Sequence, residues 1–515
     1  MELKTLEGWL WRAACAIRGP ADASKYKEFI LPLIFLKRIS DVFEDEINRL
    51  TENYGSPELA QTLAEEDRKI VRFFVPTKSK WDYVRKQAAN LGEAITTAMR
   101  ELVKENPQRL SGVLDVIDFN ATSAGQRVMP DSYLTGLMNV LSEYRLGLDD
   151  VPADLLGHAY EYLLRKFSED KGQSSGEFYT PPSVTHLVAK LMQASPGSSV
   201  YDPACGSAGI LVAAHLDLLE RHGTKQNGYT TLPDNVARLK LYGQEFLPTT
   251  YALGRMNTTL HDMDADIRLG DTMQHPKHTN ADGGLMRFNR IGANPMWNQN
   301  NINEAVYEND AYERFKFAEM KPPKGTADWG WVSHMTAMLE DNGKAFIVLD
   351  TGAVSRGSGK TGKDKERDIR KSFVERDLIE SVILLPENLF YNTTAAGIIL
   401  VIAKQKAHPN QILLINASKL VAKGRPKNFI PELEIAKIVQ MYLGWQTVTD
   451  TSIEISKADA IKHDYNLSPS RFVSTGAIDD VLPLEEAVLR LRAAEEERVE
   501  ADIALNKVLV HLGLG

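Results

Sequence analysis

The sequence predicts a doubly wound, mostly parallel α/β sheet, preceded by a helical N-terminal domain and followed by a helical tail. Three observations support this fold class. Residues 1–150 contain amphipathic helical patterns and few strand signals. From residue 198 onward, short β-rich runs alternate with helical stretches, as in a parallel sheet that helices cover on both faces. After residue 476 the chain reads as one acidic amphipathic helix.

The N-terminal helical region is illustrated by residues 26–50, YKEFILPLIFLKRISDVFEDEINRL, whose apolar residues recur with a helical period. A chain of 515 residues exceeds the size at which one hydrophobic core stops growing, so several domains are expected. We place a helical N-terminal domain at 1–150, a sheet domain at 151–475 and an amphipathic helix at 476–515. The apolar stripe of this last helix suits subunit assembly, although it can also bury against its own chain.

Composition indicates a cytoplasmic protein. Two cysteines, Cys15 and Cys205, suit a reducing compartment and argue against a disulfide framework. The longest apolar run, residues 395–403, is too short to span a bilayer. The N-terminus lacks the basic start and continuous apolar stretch of a secretory signal. We therefore expect no membrane contact, and no Cys-His or His-Glu arrangement suggests a metal.

The formal net charge of −9 constrains the partners. A protein that grips nucleic acid unaided usually carries a basic patch, so this chain needs a local patch or a basic partner. The best local candidate for phosphate contact is residues 355–371, rich in Gly, Lys and Arg, although a solvated helix start explains the pattern equally well. The segment contains GSGKT, but Val354 stands where a phosphate-binding P-loop requires glycine, which excludes ATP binding.

Small and acidic residues follow the predicted strands, at the edge where such sheets bind ligands. The run VYDPACGSAG passes from a strand through a small-residue turn into a helix. The turn residues Gly206, Ser207, Ala208 and Gly209 let backbone approach a ligand, and the helix N-terminus offers free N–H groups. Asp202 adds a carboxylate that can hold a cationic group. A tight turn without a ligand is the alternative, since the spacing is not the dinucleotide fingerprint G-x-G-x-x-G.

Two more acids end consecutive predicted strands. Glu245, in YGQEF, occupies the usual position of an acid that binds ribose hydroxyls. Asp271, in LGDTM, ends the next strand and so lies on the same edge. Either residue alone fits a surface acid, but three acids on consecutive strand ends point to a site. Upstream, GEFYTPP at 176–182 sets two aromatic residues ahead of a rigid Pro-Pro turn, which also fits a helix entry with Pro182 near its first position.

The stretch GANPMWNQ, residues 292–299, follows a fourth strand on this edge. The side-chain oxygen of Asn294 and the carbonyl of Pro295 form a pair of acceptors, and proline fixes φ there. Such a pair suits an exocyclic amine, whose hydrogens it accepts while the nitrogen lone pair points towards an electrophile. Trp297 supplies a stacking face for a planar base, worth roughly 1–3 kcal/mol. A tryptophan that fills a core gap behind a turn is the alternative.

Taken in order, GEFYTPP, DPACGSAG, GQE, GDT and ANPMW resemble the motifs of S-adenosylmethionine-dependent amino-methyltransferases of DNA, specifically the modification (M) subunits of type I restriction–modification systems. The resemblance covers nearly the whole chain, including DLLGHAYEYLLRKF, LLPENLFYNTTAAGIILVIAK and YNLSPSRFV. It implies a class I, Rossmann-like methyltransferase that transfers methyl from S-adenosylmethionine to N6 of a flipped adenine. Each motif is weak alone, and the ordered set of five is highly specific.

The resemblance also implies roles for residues and partners. The target adenine is implied at the catalytic candidates Asn294, Pro295 and Trp297. The cofactor is implied at Glu177, Phe178, Tyr179, Thr180, Pro181, Pro182, Asp202, Gly206, Ser207, Ala208, Gly209, Glu245 and Asp271. Family members usually act on double-stranded DNA as two M subunits with one DNA-specificity (S) subunit, and with an added nuclease-translocase for restriction. Such partners would account for the acidic balance of this chain.

Two residues depart from the family pattern. The usual tetrapeptide is Asn-Pro-Pro-Phe or Asn-Pro-Pro-Tyr, whereas this chain has Met296 and Trp297. Tryptophan is more familiar there from cytosine-N4 enzymes, which begin with serine, so cytosine-N4 methylation is one alternative. A cofactor-binding assembly subunit with weak or no catalysis is a second. Methylation of a protein glutamine is a third, which the long N-terminal domain and tail fit poorly. Asn294 and the order of the motifs favour adenine.

Overall fold

The computed structural model describes residues 2–17, 26–87, 89–123, 125–148, 150–151, 153–169, 179–226, 229–300, 302–318, 320–323, 325–359, 362–391, 393–473 and 505. Residues 1–473 form one compact unit and residues 474–515 a second. In the second unit only Leu505, an exposed helical residue, is described. The predicted tail helix at 476–515 therefore lies outside the described residues.

The N-terminal part of the first unit is mainly helical, as the sequence predicts. Short 3-10 helices lie between α3 and α4, and a small hairpin precedes α7. The elements are α1 (Leu3–Cys15), α2 (Tyr26–Tyr54), α3 (Pro57–Glu66), α4 (Trp81–Arg85), α5 (Leu91–Glu105), α6 (Pro107–Leu110), β1 (Thr122–Ser123), β2 (Gln126–Arg127), α7 (Asp131–Leu141) and α8 (Ala153–Glu169).

The helices enclose a hydrophobic core because their apolar residues recur with the helical period. Along α5, Leu91, Ile95, Met99 and Leu102 are spaced by three or four residues, and all four are buried in this core. Burial of such side chains stabilises a helix by about 1.5–3 kcal/mol each. The amphipathic patterns thus form a packed helical layer.

The remainder of the unit alternates strands and helices. Its elements are α9 (Pro182–Met192), β3 (Ser199–Asp202), α10 (Gly209–His222), β4 (Thr224–Gln226), β5 (Tyr229–Thr231), β6 (Lys240–Glu245), α11 (Pro248–Leu260), β7 (Ala265–Leu269), β8 (Phe288–Ala293), α12 (Glu304–Glu308), α13 (Asp328–Ala337), β9 (Leu339–Asp350), α14 (Lys365–Glu375), β10 (Ile379–Leu384), β11 (Gly397–Ala403), β12 (Gln411–Asn416), α15 (Glu432–Leu443), β13 (Ser452–Ser456), α16 (Lys457–Lys462) and α17 (Pro469–Phe472).

Nine of these strands form one sheet in the order β13-β12-β10-β11-β9-β8-β3-β6-β7. The run β7-β6-β3-β8-β9 is parallel throughout. β11 lies antiparallel between β9 and β10, and β13 pairs antiparallel with β12 at one edge. The predicted mostly parallel sheet is confirmed, with two antiparallel strands added to it.

Both faces of the sheet are buried, as its apolar strands require. Along β9, Phe346 and Val348 pack in one hydrophobic cluster, whereas Ala345, Ile347 and Leu349 pack in the cluster on the opposite face. The same alternation holds along β11. Seven short β-rich runs of the sequence, from SSVYDP at 198–203 to GIILVIAK at 397–404, correspond to β3, β6, β7, β8, β9, β10 and β11. The sequence prediction missed β12 and β13 of this sheet and the hairpin β4–β5.

Helix α11 belongs to both parts of the unit. It follows β6, yet Ala252, Leu253, Met256 and Leu260 lie in the core formed by the N-terminal helices. The helical layer and the sheet therefore share a hydrophobic core through this helix. The domain boundary at residue 150 stays a prediction.

The basic segment 355–371 is less available for DNA than its sequence suggests. Arg356 forms ion pairs with Asp328, Asp350 and Glu366. Arg370 is fully buried and donates to the carbonyl oxygens of Tyr465 at 2.6 Å, Ala353 at 3.1 Å and Arg356 at 2.9 Å. These two arginines therefore hold the fold together.

We expect Arg370→Ala to destabilise the protein by about 3 kcal/mol or more, because each buried acceptor left without a donor costs about 1–3 kcal/mol. Urea unfolding of the purified chain measures this change. The matched control is Lys371→Ala, whose half-exposed side chain should contribute less than about 0.5 kcal/mol. Equal stability of the two variants would show that Arg370 does not tie these loops together.

Candidate functional site

A cavity opens beside the carboxyl ends of β3 and β8. Its volume is about 450 Å³, including the open mouth. The turn between β3 and α10 forms one wall, the start of α9 a second, and α8 contributes Glu161. The cavity is lined by seven residues that the sequence assigns to the cofactor, together with the catalytic candidate Asn294. The seven are Tyr179, Thr180, Pro182, Asp202, Gly206, Ser207 and Gly209.

The other assigned residues are placed differently. Pro181 and Ala208 are buried beside the cavity wall without lining it. Asp271 lies two residues beyond β7, where its carboxylate accepts the N–H groups of Met273 and Gln274, and it does not line the cavity. Glu177 and Phe178 lie outside the described residues. The assignment of the whole set to the cofactor stays a prediction.

The turn after β3 depends on glycine and on a brace from α11. Gly206 and Ala208 have positive φ angles of 54° and 63°. A Cβ atom on Gly254 of α11 would lie 2.7 Å from the Gly206 carbonyl oxygen, so only glycine permits this approach. Asn257 of the same helix donates from Nδ2 to the Ser207 carbonyl at 2.9 Å. The turn is therefore held in one conformation, with its backbone facing the cavity.

Glu245 joins the turns that follow β3 and β6. Its Oε2 accepts the Gly206 N–H at 2.9 Å, and its Oε1 accepts the Leu247 N–H at 2.8 Å. The carboxylate that the sequence assigns to ribose hydroxyls thus also supports the glycine turn. The next residue, Phe246, has 63% of its surface exposed, which leaves an apolar ring at the end of β6.

Two carboxyl groups line the cavity with raised pKa values. Burial raises the pKa of Asp202 to about 8, and the nearby Glu245 carboxylate adds to this rise. Burial also raises the pKa of Glu161 to about 7, against a lowering by the Asn257 side chain. Asp202 is only 2% exposed and accepts the Ala204 N–H at 3.0 Å. The cavity wall is therefore complementary to a cation, whose charge would favour the ionised forms.

Asn294 lies immediately after β8 and lines the same cavity as the glycine turn. Its side chain is 9% exposed, and Nδ2 donates to the Thr180 hydroxyl at 2.9 Å. Its Oδ1 accepts the indole N–H of Trp297 at 3.0 Å. The neighbouring Pro295 is buried. A primary amide thus faces the same cavity as the glycine turn and the two carboxyl groups.

Trp297 is partly buried beside Asn294. Its ring packs edge-on against Phe390, with ring centroids 4.5 Å apart and planes at 68°. The indole N–H lies 3.2 Å from the Val348 carbonyl as well as near Asn294. The ring therefore combines an exposed part with a packed edge. The packed edge agrees with the alternative of a tryptophan that fills a gap, and the stacking role stays a prediction.

The chain beyond Trp297 is anchored by carboxylates. Asn298, at a positive φ of 50°, donates from its backbone N–H to Asp328 at 3.0 Å and from Nδ2 to Asp350 at 2.8 Å. Both acids also pair with Arg356. Arg356, which belongs to the segment considered for phosphate contact, thus supports the turn that carries Asn294.

Sequence reasoning missed several residues of this site. Glu161 has a weak signal, an acid between two tyrosines in the helical stretch YEYLL. Phe246 could have been found as the aromatic residue directly after Glu245. Gly254 and Asn257 carry no local signal, because their role depends on how α11 packs against the turn.

A doubly wound sheet, a glycine turn after the middle strand of its parallel run and an Asn-Pro turn after the adjacent strand define a class I, Rossmann-like methyltransferase. Family comparison gives the particular family. Residues 151–481 match the N-6 DNA methylase model, and residues 6–140 match the HsdM N-terminal domain. The chain therefore belongs to the N-6 DNA methylase family, and the predicted modification-subunit class is confirmed.

Two relatives illustrate the relationship. The chain is 30% identical over 507 residues to the MjaIX methylase subunit of a type I restriction enzyme from Methanocaldococcus jannaschii, covering 93% of this chain and 86% of the relative. It is 31% identical over 443 residues to the HindI methylase subunit from Haemophilus influenzae, covering 81% and 92%.

Solved structures agree on the fold. A type I restriction–modification methyltransferase subunit from Streptococcus thermophilus superposes with a TM-score of 0.77 at 24% identity, over 92% of this chain and 100% of that one. A chain from a study of complex assembly in a type I system superposes with a TM-score of 0.64 at 19% identity, over 98% of each chain. Within the described part of this chain, none of the helices has the length and apolar character needed to cross a membrane.

The buried carboxyl of Asp202 should make stability depend on pH. Its pKa is raised in the folded state, so the protonated form is favoured there, and its stabilising contribution is lost as pH rises from about 4 to about 8. We expect the wild type to lose stability relative to Asp202→Asn over this range, by at most about 1.4 kcal/mol per pH unit.

Urea unfolding of the two proteins at pH 5, 6.5 and 8 measures this difference. Asp234→Asn, which changes an exposed acid, is the control and should show no such trend. A constant difference between wild type and Asp202→Asn across the three pH values would refute the raised pKa.

Proposed function

We propose that this chain is the modification subunit that transfers a methyl group from S-adenosylmethionine to N6 of an adenine flipped out of duplex DNA. The observation that carries the proposal is the single cavity shared by the Gly206 turn, the carboxyls of Glu161 and Asp202, and the Asn294 amide. In this proposal the cofactor cradle and the acceptor for the amine are neighbours in one cavity. Family membership supports the same reaction.

The residues of the cavity fit the proposed cofactor. S-adenosylmethionine carries a sulfonium and an α-ammonium group. Burial raises the pKa of Glu161 and of Asp202, and a bound cation would favour the ionised form of each carboxyl, so both can pair with these positive groups. A Cβ atom on Gly206 would meet no neighbour within 4 Å, so the turn borders open space. The exposed ring of Phe246 offers an apolar face for a planar base at the end of β6. The bound cofactor supplies an electrophilic methyl group.

The chain itself captures and orients the target base. Flipping a base out of the duplex costs a few kcal/mol, which stacking on the exposed part of Trp297 partly offsets. Asn294 Oδ1 and the Pro295 carbonyl accept the two hydrogens of the exocyclic amine. This arrangement holds the nitrogen lone pair towards the cavity, so catalysis rests on positioning and on aligned acceptors.

Methylation of adenine is favoured over methylation of cytosine N4 and over an assembly role without catalysis. The chain begins its catalytic turn with Asn294, and its family is that of N-6 methylases. The assembly-only alternative does not explain why the cavity is retained with its amide and carboxyls. Sequencing DNA modified by the assembled complex tests the base directly, since N4-methylcytosine in place of N6-methyladenine would overturn the proposal.

Partners account for recognition of the DNA sequence. The relatives are methylase subunits of type I restriction enzymes, so we propose a complex of two copies of this chain with one DNA-specificity subunit on double-stranded DNA. A nuclease-translocase subunit joins this complex for restriction. The chain has a net charge of −9, and Arg356 and Arg370 are paired internally. Both observations support the proposal that partner chains make many of the contacts to DNA.

Asn294→Ala should abolish methylation by the assembled complex while cofactor binding changes little. The amide oxygen is one of two acceptors that orient the amine, so its loss is expressed in the transfer rate more than in ground-state affinity. Transfer of labelled methyl groups to DNA, with calorimetry of cofactor binding, measures both effects. Methylation at the wild-type rate would make the Asn294 turn structural and favour the assembly-subunit alternative.

Glu161→Gln should weaken S-adenosylmethionine binding by roughly tenfold or more, because it removes a charged partner of a cation. Calorimetry on the purified chain measures the affinity, and Glu220→Gln, at an exposed position of α10, is the control. Titration with S-adenosylhomocysteine, which lacks the sulfonium charge, separates the two cationic groups. A loss confined to S-adenosylmethionine assigns Glu161 to the sulfonium, an equal loss assigns it to the ammonium, and unchanged affinity removes Glu161 from the site.

A further inference from the structure

The side-chain amide of Asn294 is held at both of its ends. Trp297 Nε1 lies 3.0 Å from one terminal atom of the amide, and Thr180 Oγ1 lies 2.9 Å from the other. An indole N–H can only donate, so the atom facing Trp297 must be the amide oxygen. The NH₂ group then faces Thr180, whose hydroxyl accepts from it. The indole N–H therefore defines which way the amide points, and the Thr180 hydroxyl holds its other end.

We propose that Trp297 and Thr180 are positioning residues that fix the orientation of the catalytic Asn294 amide. This inference rests on the proposed function, in which Asn294 Oδ1 accepts a hydrogen from the target amine. A carbonyl oxygen has two lone pairs, so the indole N–H occupies one and leaves the other for the amine. Trp297 therefore acts on the reaction through Asn294, in addition to any stacking against the base.

The indole is itself rigidly placed. Phe390 packs against its ring. A Cβ atom on Gly397, the first residue of β11, would lie 2.8 Å from a carbon of the ring, so β11 leaves the indole no room to move towards it. The N–H is shared between Asn294 Oδ1 and the Val348 carbonyl. A ring fixed by packing loses little entropy when it orients another group, which is why a single hydrogen bond here can be effective.

The orientation matters because an amide has two nearly isosteric ends. Without the indole N–H, rotation of the Asn294 amide by half a turn would place its NH₂ group where the oxygen stands. Two donors would then face each other at the target amine, and the lone pair of the amine would lose its alignment. The Thr180 hydroxyl, which can accept or donate, does not choose between the two ends, but it holds the second end of the amide in place. Since Thr180 also lines the proposed cofactor cavity, it links that wall to the amide.

The central experiment compares Trp297→Phe with wild type in the complex with a co-expressed specificity subunit. Phenylalanine keeps an aromatic ring but removes the N–H, so we expect kcat for methyl transfer to fall roughly tenfold. The KM for DNA and the fluorescence of 2-aminopurine at the target position, which reports a flipped base, should stay near wild type. Trp297→Ala should impair both capture and transfer.

Variants of Thr180 provide an independent test. Thr180→Val keeps the shape but removes the hydroxyl acceptor, and it should lower kcat, whereas Thr180→Ser keeps the hydroxyl and should restore it. The control is Trp81→Phe, which removes an indole hydrogen bond of 2.9 Å to Ser142 within the helical layer and should leave kcat unchanged. Calorimetry of cofactor binding and the melting temperature are measured for every variant.

Two outcomes would overturn the inference. One is transfer by Trp297→Phe at the wild-type rate. The other is a fall in kcat that is always accompanied by a lower melting temperature and a weaker cofactor affinity. That pattern would indicate general damage to the fold. Asn294→Ala separates this inference from the proposed function, because active Trp297→Phe with inactive Asn294→Ala overturns the positioning role alone. If Asn294→Ala is also fully active, the proposed function fails with it.

Discussion

The parallel pairing of β3 between β6 and β8 is the constraint on which the site depends. Asp202 pairs with Gly243 on one side, and Tyr201 pairs with Ile291 on the other. Because three parallel strands end at the same edge, this register brings the glycine turn, Glu245 and Asn294 together from stretches far apart in the chain. A slip of one residue would turn the side chains of β3 to the opposite face and separate these groups.

The sequence predicted the fold, which is confirmed, and the place of the candidate site, because both predictions depend on local patterns. Apolar runs of strand length alternate with helical stretches, and the small, acidic and amide residues stand where the strands end. The ordered motifs added the family, which the comparisons confirm. β12 was missed although ILLI is a short apolar run, because its pairing partners β10 and β13 are set by the long-range order of the sheet.

The remaining features depend on contacts that no local pattern encodes. A sequence cannot show that the Trp297 N–H meets the amide oxygen of Asn294, or that Glu245, predicted to bind ribose hydroxyls, also accepts the Gly206 N–H. The charge pattern of residues 355–371 left two interpretations open, phosphate contact or a solvated helix start. It could not show that Arg356 and Arg370 are paired internally, because partners such as Asp328 and the Tyr465 carbonyl lie far away in sequence. The role of a charged side chain is therefore determined by the partners that the folded structure brings to it.

Helix α11 gives the molecule a direct mechanical link. One of its faces is embedded among the N-terminal helices, while Gly254 and Asn257 brace the turn that borders the cavity. A rigid helix transmits a displacement along its whole length. A shift of the helical layer is therefore transmitted by α11 alone to the turn that follows β3. The helical layer is thus an integral part of the cavity's architecture, and binding of a partner that displaces those helices would also displace the wall of the cavity through α11.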